Sequence, residues 1–159
     1  MPPRLNYAQQ APEAFKKYLD FALSLKKGPL EHSLRDLLTI RASQLNGCAF
    51  CLDMHVKEAV LHGERPLRLH HVAIWRESPL FTPRERAALA WTELLTQLPA
   101  HGVADADYQA VRAHFSEAEL AALSFAIVAI NGWNRLAVAF AAVPGSKDQD
   151  YGLDRAGLA

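Results

Sequence analysis

The chain has 159 residues, half of them hydrophobic and 21% charged, which is the balance expected of one globular domain spanning residues 1–159. Its 17 basic and 17 acidic residues cancel, and no predicted face gathers Lys and Arg, so we expect neither nucleic acid nor a membrane surface as a partner. The polar N-terminus lacks the apolar run of a signal peptide, which favours a cytoplasmic protein.

Apolar residues recur every three or four positions in seven segments, and this spacing predicts seven helices or so and an all-α fold. In chain order the predicted helices cover 12–27, 33–45, 48–62, 65–77, a segment from Thr82 onward, 105–114 and 117–142. Thr82 with Glu85, and Ser116 with Glu119, have the spacing of capping boxes. No segment alternates as a strand does, and we expect the tail at 144–159 to be loosely held.

The last predicted helix is the most hydrophobic of the seven. It is long enough to span a bilayer, but Asn131, Asn134 and Arg135 interrupt its middle and would be costly in lipid. We therefore predict a central or interface helix of a soluble fold, in which these side chains and Arg41 make structural hydrogen bonds.

Both cysteines of the chain lie between residues 46 and 55. Gly47 is a typical helix terminator, so we predict a break there and place Cys48 at the start of the next helix. On that helix Cys48, Cys51 and His55 share one face. Amides at a helix start favour anions and lower thiol pKa values, and a one-turn spacing suits a disulfide. The motif can therefore cycle between dithiol and disulfide.

A proton route would complete such a redox site. His55 can exchange protons near neutral pH, and Asp36 is the candidate carboxylate that orients it. If the chain folds back at Gly47, Asp36 lies eleven residues before the bend and His55 eight after it, so their heights differ by about one helical turn.

Two other interpretations of the cysteines stay open. A structural zinc site needs four ligands, and Cys48, Cys51 and His55 supply three, so a zinc-stabilised helical binding module is one alternative. The cysteines could also be small buried hydrophobes. The remaining histidines, His62 among them, look like helix-end or surface residues.

The segment 41–55, which reads RASQLNGCAFCLDMH, with Asp36 twelve residues before Cys48, resembles the AhpD-like alkylhydroperoxidase group of the carboxymuconolactone decarboxylase family. Further similar stretches extend the resemblance over most of 31–140. They are KEAVLHGE at 57–64, AIWRE at 73–77, the segment 81–91, and INGWNRLA at 130–137.

The resemblance implies an all-helical fold assembled as trimers or hexamers, and reduction of organic hydroperoxides without metal, haem or another bound cofactor. Electrons would come from an external thiol or dihydrolipoyl donor. By motif position Cys51 would attack the peroxide, Cys48 would resolve the product, and His55 would relay protons with Asp36. The family's relay residue is a glutamate, so the shorter Asp36 would need a bridging water.

The resemblance and the local physics point to different nucleophiles. Position at the helix start favours Cys48, whereas proximity to His55 favours Cys51, and we expect Cys51 because peroxide cleavage needs a proton for the leaving oxygen. A protein or small-molecule disulfide reductase, or a redox sensor, is the alternative function for the same cysteine pair.

Overall fold

All seven predicted segments are helical in the computed structural model, which describes residues 2–158. The helices are α1 (Tyr7–Gln10), α2 (Pro12–Ser24), α3 (His32–Leu45), α4 (Ala49–Leu61), α5 (Pro66–His71), α6 (Pro83–Thr96), α7 (Asp105–Arg112), α8 (Glu117–Ala139) and α9 (Asp148–Tyr151). Short 3-10 turns follow α2, α5 and α9. Residues 2–158 contain no strand, which confirms the all-α class; α1 and α9 are single turns that the periodicity did not predict.

Helix α3 is the centre of the fold, since it packs against α4, α6 and α8. Leu34 and Leu38 of α3 are buried in one apolar cluster with both cysteines and the inner face of α8. Leu37 and Ile40, on the other side of α3, belong to a second cluster with Trp75 and Leu89. The α3–α4 hairpin is thereby held from both sides, which fixes the position of the cysteine segment.

Local sequence signals set the helix boundaries. Gly47 has a φ of +62° and separates α3 from α4, as predicted. Ser116 and Thr82 each accept a hydrogen bond from the backbone three residues on, and the glutamates at those positions return the bond, so both capping boxes are confirmed.

Helix α8 crosses the middle of the molecule. By length and composition it could span a membrane, a test that core helices of soluble proteins also pass. Here it packs against α2, α3, α4, α6 and α7. Its Asn131 and Asn134 are buried, and the Asn46 amide donates to both side-chain oxygens at 2.9 Å, so the predicted structural hydrogen bonds are present. Arg41 likewise pairs with Glu93 at 2.7 Å.

The tail is more firmly held than the sequence predicts. The Lys57 ammonium on α4 lies 2.7 Å from Asp148 and 2.9 Å from Asp53, and Leu153 is buried against α4. An ion pair and an apolar anchor therefore attach the segment after α8 to the helix that carries the cysteines. The expectation of a loosely held tail is wrong for this reason.

Gly132 permits the close approach of α2 to α8, and its replacement by Ala tests that contact. A Cβ there would lie 2.0 Å from the Tyr18 hydroxyl oxygen. The Tyr18 hydroxyl group donates a hydrogen bond to the Ala129 carbonyl oxygen, at 2.7 Å. We expect Gly132→Ala to lower the free energy of unfolding by about 1–3 kcal/mol, measured by urea denaturation. In a Tyr18→Ala background the same change should be neutral or stabilising, because alanine has the higher helix propensity. Equal effects in the two backgrounds would contradict the contact.

Candidate active site

The start of α4 places the two cysteines in contact. Cys48 is the N-cap residue of α4, as predicted, and its sulfur accepts a hydrogen bond from the Cys51 backbone amide at 3.3 Å. Both cysteines are free thiols and both are buried, with exposed fractions of 2% and 1%. A capping oxygen is thus replaced by a sulfur, which stabilises negative charge on Cys48 through the unpaired amides of the first turn.

The two thiols differ in acidity. The hydrogen bond donated by the Cys51 thiol lowers the pKa of Cys48 to about 7, although burial alone would raise it. The Asn134 amide and the charge of His55 also lower the pKa of Cys48. The pKa of Cys51 is raised, because its proton is held by Cys48 and because the thiol is buried. The pair therefore ionises first at Cys48, while Cys51 keeps the shared proton.

Asn134, a residue of α8, lies beside both sulfurs. Its side chain is fully buried, and the amide nitrogen donates to the Ser43 hydroxyl at 3.1 Å while its oxygen accepts from Asn46. The amide is thereby held in one orientation towards the cysteines. We predicted only a structural role for Asn134; its position in the most apolar helix was the available signal, because a polar group buried there must have partners.

His55 has its carboxylate partner on the same helix. Nδ1 of His55 lies 2.7 Å from a carboxylate oxygen of Glu58, three residues on, and both side chains are largely buried. Burial alone would raise the pKa of Glu58, but the hydrogen bond and charge of His55 outweigh it and hold the pKa at about 2. An ionised Glu58 accepts the Nδ1 proton, which leaves Nε2 of His55 for proton exchange.

Asp36, which we expected to act on His55 through a bridging water, has His62 as its direct partner. One carboxylate oxygen of Asp36 lies 2.8 Å from Nδ1 of His62, the residue that ends α4. Asp36 and Glu58 are each eleven residues from Gly47 and so are level on neighbouring helices. Two carboxylates at one level repel each other, and each binds a different histidine. Glu58 and His62 were not among the predicted site residues, although their spacing from His55 places them on the same helix face.

Aromatic side chains from the two ends of the chain pack together near the cysteine pair. The Tyr7 ring packs against Phe140 and Phe15, with ring centroids 5.6 and 6.1 Å apart, and Phe15 in turn packs on Trp133 at 5.8 Å. Burial raises the pKa of Tyr7, and the charges of Cys51, Tyr151 and Cys48 raise it further, so the phenol lies within electrostatic range of both sulfurs. No sequence signal marked Tyr7. We call Tyr7, Phe15, Trp133 and Phe140 the aromatic cover.

Two surface clefts lie apart from the sulfurs. A cleft of about 430 Å³ borders a neighbouring face of α4 and is lined by Leu52, Val56 and Leu158 among others, without either cysteine. Within residues 2–158 no group of three or more His, Cys, Asp or Glu side chains is arranged to hold a metal ion. The zinc alternative therefore has no ligand set in the described part of the chain.

Similarity to known sequences places the chain in a family. Residues 10–94 match the model of the carboxymuconolactone decarboxylase family. The uncharacterized protein YdfG of Bacillus subtilis (strain 168) is 38% identical over 139 residues, which cover 87% of this chain and 95% of YdfG. The uncharacterized protein YnjA of Escherichia coli (strain K12) is 34% identical over 102 residues, 64% of this chain and 56% of YnjA.

Solved structures show the same fold. ATU0492 from Agrobacterium tumefaciens, whose name suggests an antioxidant defence protein AhpD, is 42% identical with a TM-score of 0.86 over 90% of this chain and 98% of that one. An AhpD-core, peroxidase-related protein from Ralstonia eutropha JMP134 superimposes with a TM-score of 0.78 at 22% identity, over 91% of this chain and 78% of that one. The debrominase Bmp8 shares the fold at 17% identity and a TM-score of 0.76, over 93% of this chain and 79% of that one. The chain belongs to the carboxymuconolactone decarboxylase family, and its structure is AhpD-like.

Proposed function

We propose that the protein is a thiol-dependent peroxidase that reduces organic hydroperoxides through Cys48 and Cys51. The observation that carries the proposal is the contact between an acidic thiol and a proton-bearing thiol at the start of α4. A thiolate is the nucleophile in peroxide reduction, and a second thiol one turn away can trap the product as a disulfide. Family membership and the AhpD-like relative support an enzyme of this class.

Oxidation of the cysteine pair, starting from the Cys48 thiolate, consumes one proton. The Cys48 thiolate attacks the terminal peroxide oxygen, the O–O bond breaks, and the leaving alkoxide takes a proton from His55 to form an alcohol. Cys48 becomes a sulfenic acid, and the sulfur of Cys51 displaces its hydroxyl as water, which closes the Cys48–Cys51 disulfide. An external dithiol then reduces the disulfide and returns the proton.

This assignment of the attack to Cys48 departs from our expectation from the sequence and from the resemblance, which both assign it to Cys51. In this chain the proton of the pair lies on Cys51 and lowers the pKa of Cys48, so attack by Cys51 would first require that proton to leave. Because the thiolate is already present on Cys48 near neutral pH, we infer that Cys48 reacts first.

The surroundings suggest the kind of substrate and reductant. The aromatic cover favours an apolar alkyl or aryl hydroperoxide, and the burial of both sulfurs favours small reactants over protein disulfides. We propose a dithiol of the dihydrolipoyl type as electron donor, no bound cofactor, a cytoplasmic location and assembly as trimers or hexamers. Small-molecule disulfide reduction is the second candidate function, since a helix-start thiolate also suits thiol–disulfide exchange.

The thiolate should appear at neutral pH. We expect thiolate absorbance in the ultraviolet to rise about tenfold between pH 6 and 8 with a midpoint near 7, because the pKa of Cys48 is lowered to about 7. In Cys51→Ala the midpoint should move to higher pH, since the hydrogen-bond donor is lost. A Cys48→Ala protein that keeps the midpoint near 7 would assign the thiolate to Cys51 and contradict the proposed order.

The two cysteine variants should fail at different steps. Cys51→Ser should react once with cumene hydroperoxide and accumulate a sulfenic acid on Cys48, trapped by dimedone and located by mass spectrometry. Cys48→Ser should react at least about tenfold more slowly, because the Cys48 thiolate is gone and burial still raises the pKa of Cys51. The variants control each other, and trapped sulfenic acid on Cys51 of Cys48→Ser at the wild-type rate would assign the attack to Cys51. Turnover with dihydrolipoamide that survives both replacements would remove the proposed function.

His55 should act as the proton donor and Glu58 as the group that orients it. His55→Gln should lower kcat/KM for cumene hydroperoxide by about a hundredfold, the usual contribution of a proton donor, and Glu58→Gln by less. His71→Gln is the matched control, because His71 is also held by one hydrogen bond, 2.9 Å to Ser78, on α5. Equal activity in His55→Gln and His71→Gln would exclude His55 from the reaction.

A further inference from the structure

One face of α4 carries titratable groups along its whole length. Cys48, Cys51, His55, Glu58 and His62 follow one another at intervals of three or four residues and fall within an arc of about 80°. The helix is about 20 Å long, with the cap residues Cys48 and His62 at its two ends. We call this set the α4 stripe. One end of the stripe is the buried sulfur pair, and the other reaches solvent, since the His62 side chain is 42% exposed.

The stripe contains two histidine–carboxylate pairs of similar geometry. His55 and Glu58 are 2.7 Å apart, and His62 and Asp36 are 2.8 Å apart. The Asp36 carboxylate is nearly buried and lies close enough to feel the charges of both Glu58 and His55. Burial raises the pKa of Asp36, and the hydrogen bond and charge of His62 offset this only in part. The inner pair and the outer pair are therefore electrostatically linked.

Charged groups on the neighbouring segments frame the outer pair. The His32 ring lies 5.3 Å from the His62 ring, and Arg35 holds Nδ1 of His32 at 2.9 Å. Lys26, in the turn after α2, lies 3.5 Å from Glu58. Asp36 and His32 therefore lie against His62, whose charge also acts on Glu58. Lys26 and Arg35 lie one contact further out, on Glu58 and His32.

The proposed peroxidase cycle requires proton transfer to and from a pair of buried sulfurs. The oxidative half takes up one proton, and reduction of the disulfide by a dithiol releases one. His55 can deliver a single proton but must be recharged, and its side chain is only 16% exposed. A second group that exchanges protons between His55 and bulk water would speed this recharging.

We propose that His62, positioned by Asp36, is the outer end of a proton path along the α4 stripe that recharges His55 from solvent. The inference rests on the proposed peroxidase function. A proton taken up by His62 passes to the Asp36 carboxylate and from there to Nε2 of His55 during the oxidative half, because Nδ1 of His55 is held by Glu58. The reverse transfer follows disulfide reduction. His62 and Asp36 touch neither sulfur nor substrate in this account and act through His55.

Removal of His62 should slow turnover in a way that external buffer can repair. We expect His62→Ala to lower kcat about tenfold with cumene hydroperoxide and dihydrolipoamide at low buffer concentration, less than the roughly hundredfold of a direct proton donor. Added imidazole should restore the rate of His62→Ala, which leaves space for it, and should leave wild type unchanged. Asp36→Asn, which keeps a hydrogen-bond acceptor for His62, should show the same slow turnover. His71→Gln is again the matched control.

The results distinguish a failure of the proton path from a failure of the proposed peroxidase function. Wild-type kcat in both His62→Ala and Asp36→Asn overturns the path but leaves the cysteine chemistry intact. A His62→Ala protein that folds like wild type, has a lowered kcat and does not respond to imidazole also overturns the proton path, because a structural role of His62 would explain that result. If His62→Ala does not fold, His62→Gln replaces it, and buffer-independent wild-type turnover there is the contradicting result. Loss of the peroxidase function itself would appear instead in the cysteine variants.

Discussion

The chemistry of this site depends on the sulfur of Cys48 as a hydrogen-bond acceptor, which is reached by both the thiol and the backbone amide of Cys51. A helix N-cap position is normally filled by a side chain with an acceptor oxygen, because the first-turn amides have no partner in the helix. Here a sulfur fills it, and the same amides that need an acceptor stabilise a thiolate. Gly47 makes this possible, since its φ of +62° turns the chain sharply enough for Cys48 to cap the helix that it opens.

The rest of the fold holds that cap in place. Helix α8 supplies Asn134, which is fixed by Ser43 of α3 and by Asn46 at the bend, so three segments meet at the sulfurs through one polar network. This network lies in an otherwise apolar cluster, where unpaired amides would be costly. The contacts that stabilise the bend are therefore also the contacts that surround the sulfurs.

The sequence predicted the backbone of the site better than its side-chain partners. The cap at Cys48, the break at Gly47 and both capping boxes are local features, decided by residues within one turn of each other. The partner of Asp36 was not local. The position of Asp36 along the α3 axis is compatible with contact to either His55 or His62. Asp36 pairs with His62 because Glu58, a carboxylate that we did not consider from the sequence, already binds His55. Tyr7 reaches the site through packing of a one-turn helix on Phe140, which no spacing rule indicates.

The central claim is that the two sulfurs exchange electrons with a peroxide as one unit. The most direct measurement is mass spectrometry of the reduced protein after one equivalent of cumene hydroperoxide, without a reductant. The account predicts loss of two hydrogens and a peptide in which Cys48 and Cys51 are joined to each other. A product with both thiols intact, or with a stable oxygen adduct and no disulfide, would contradict it.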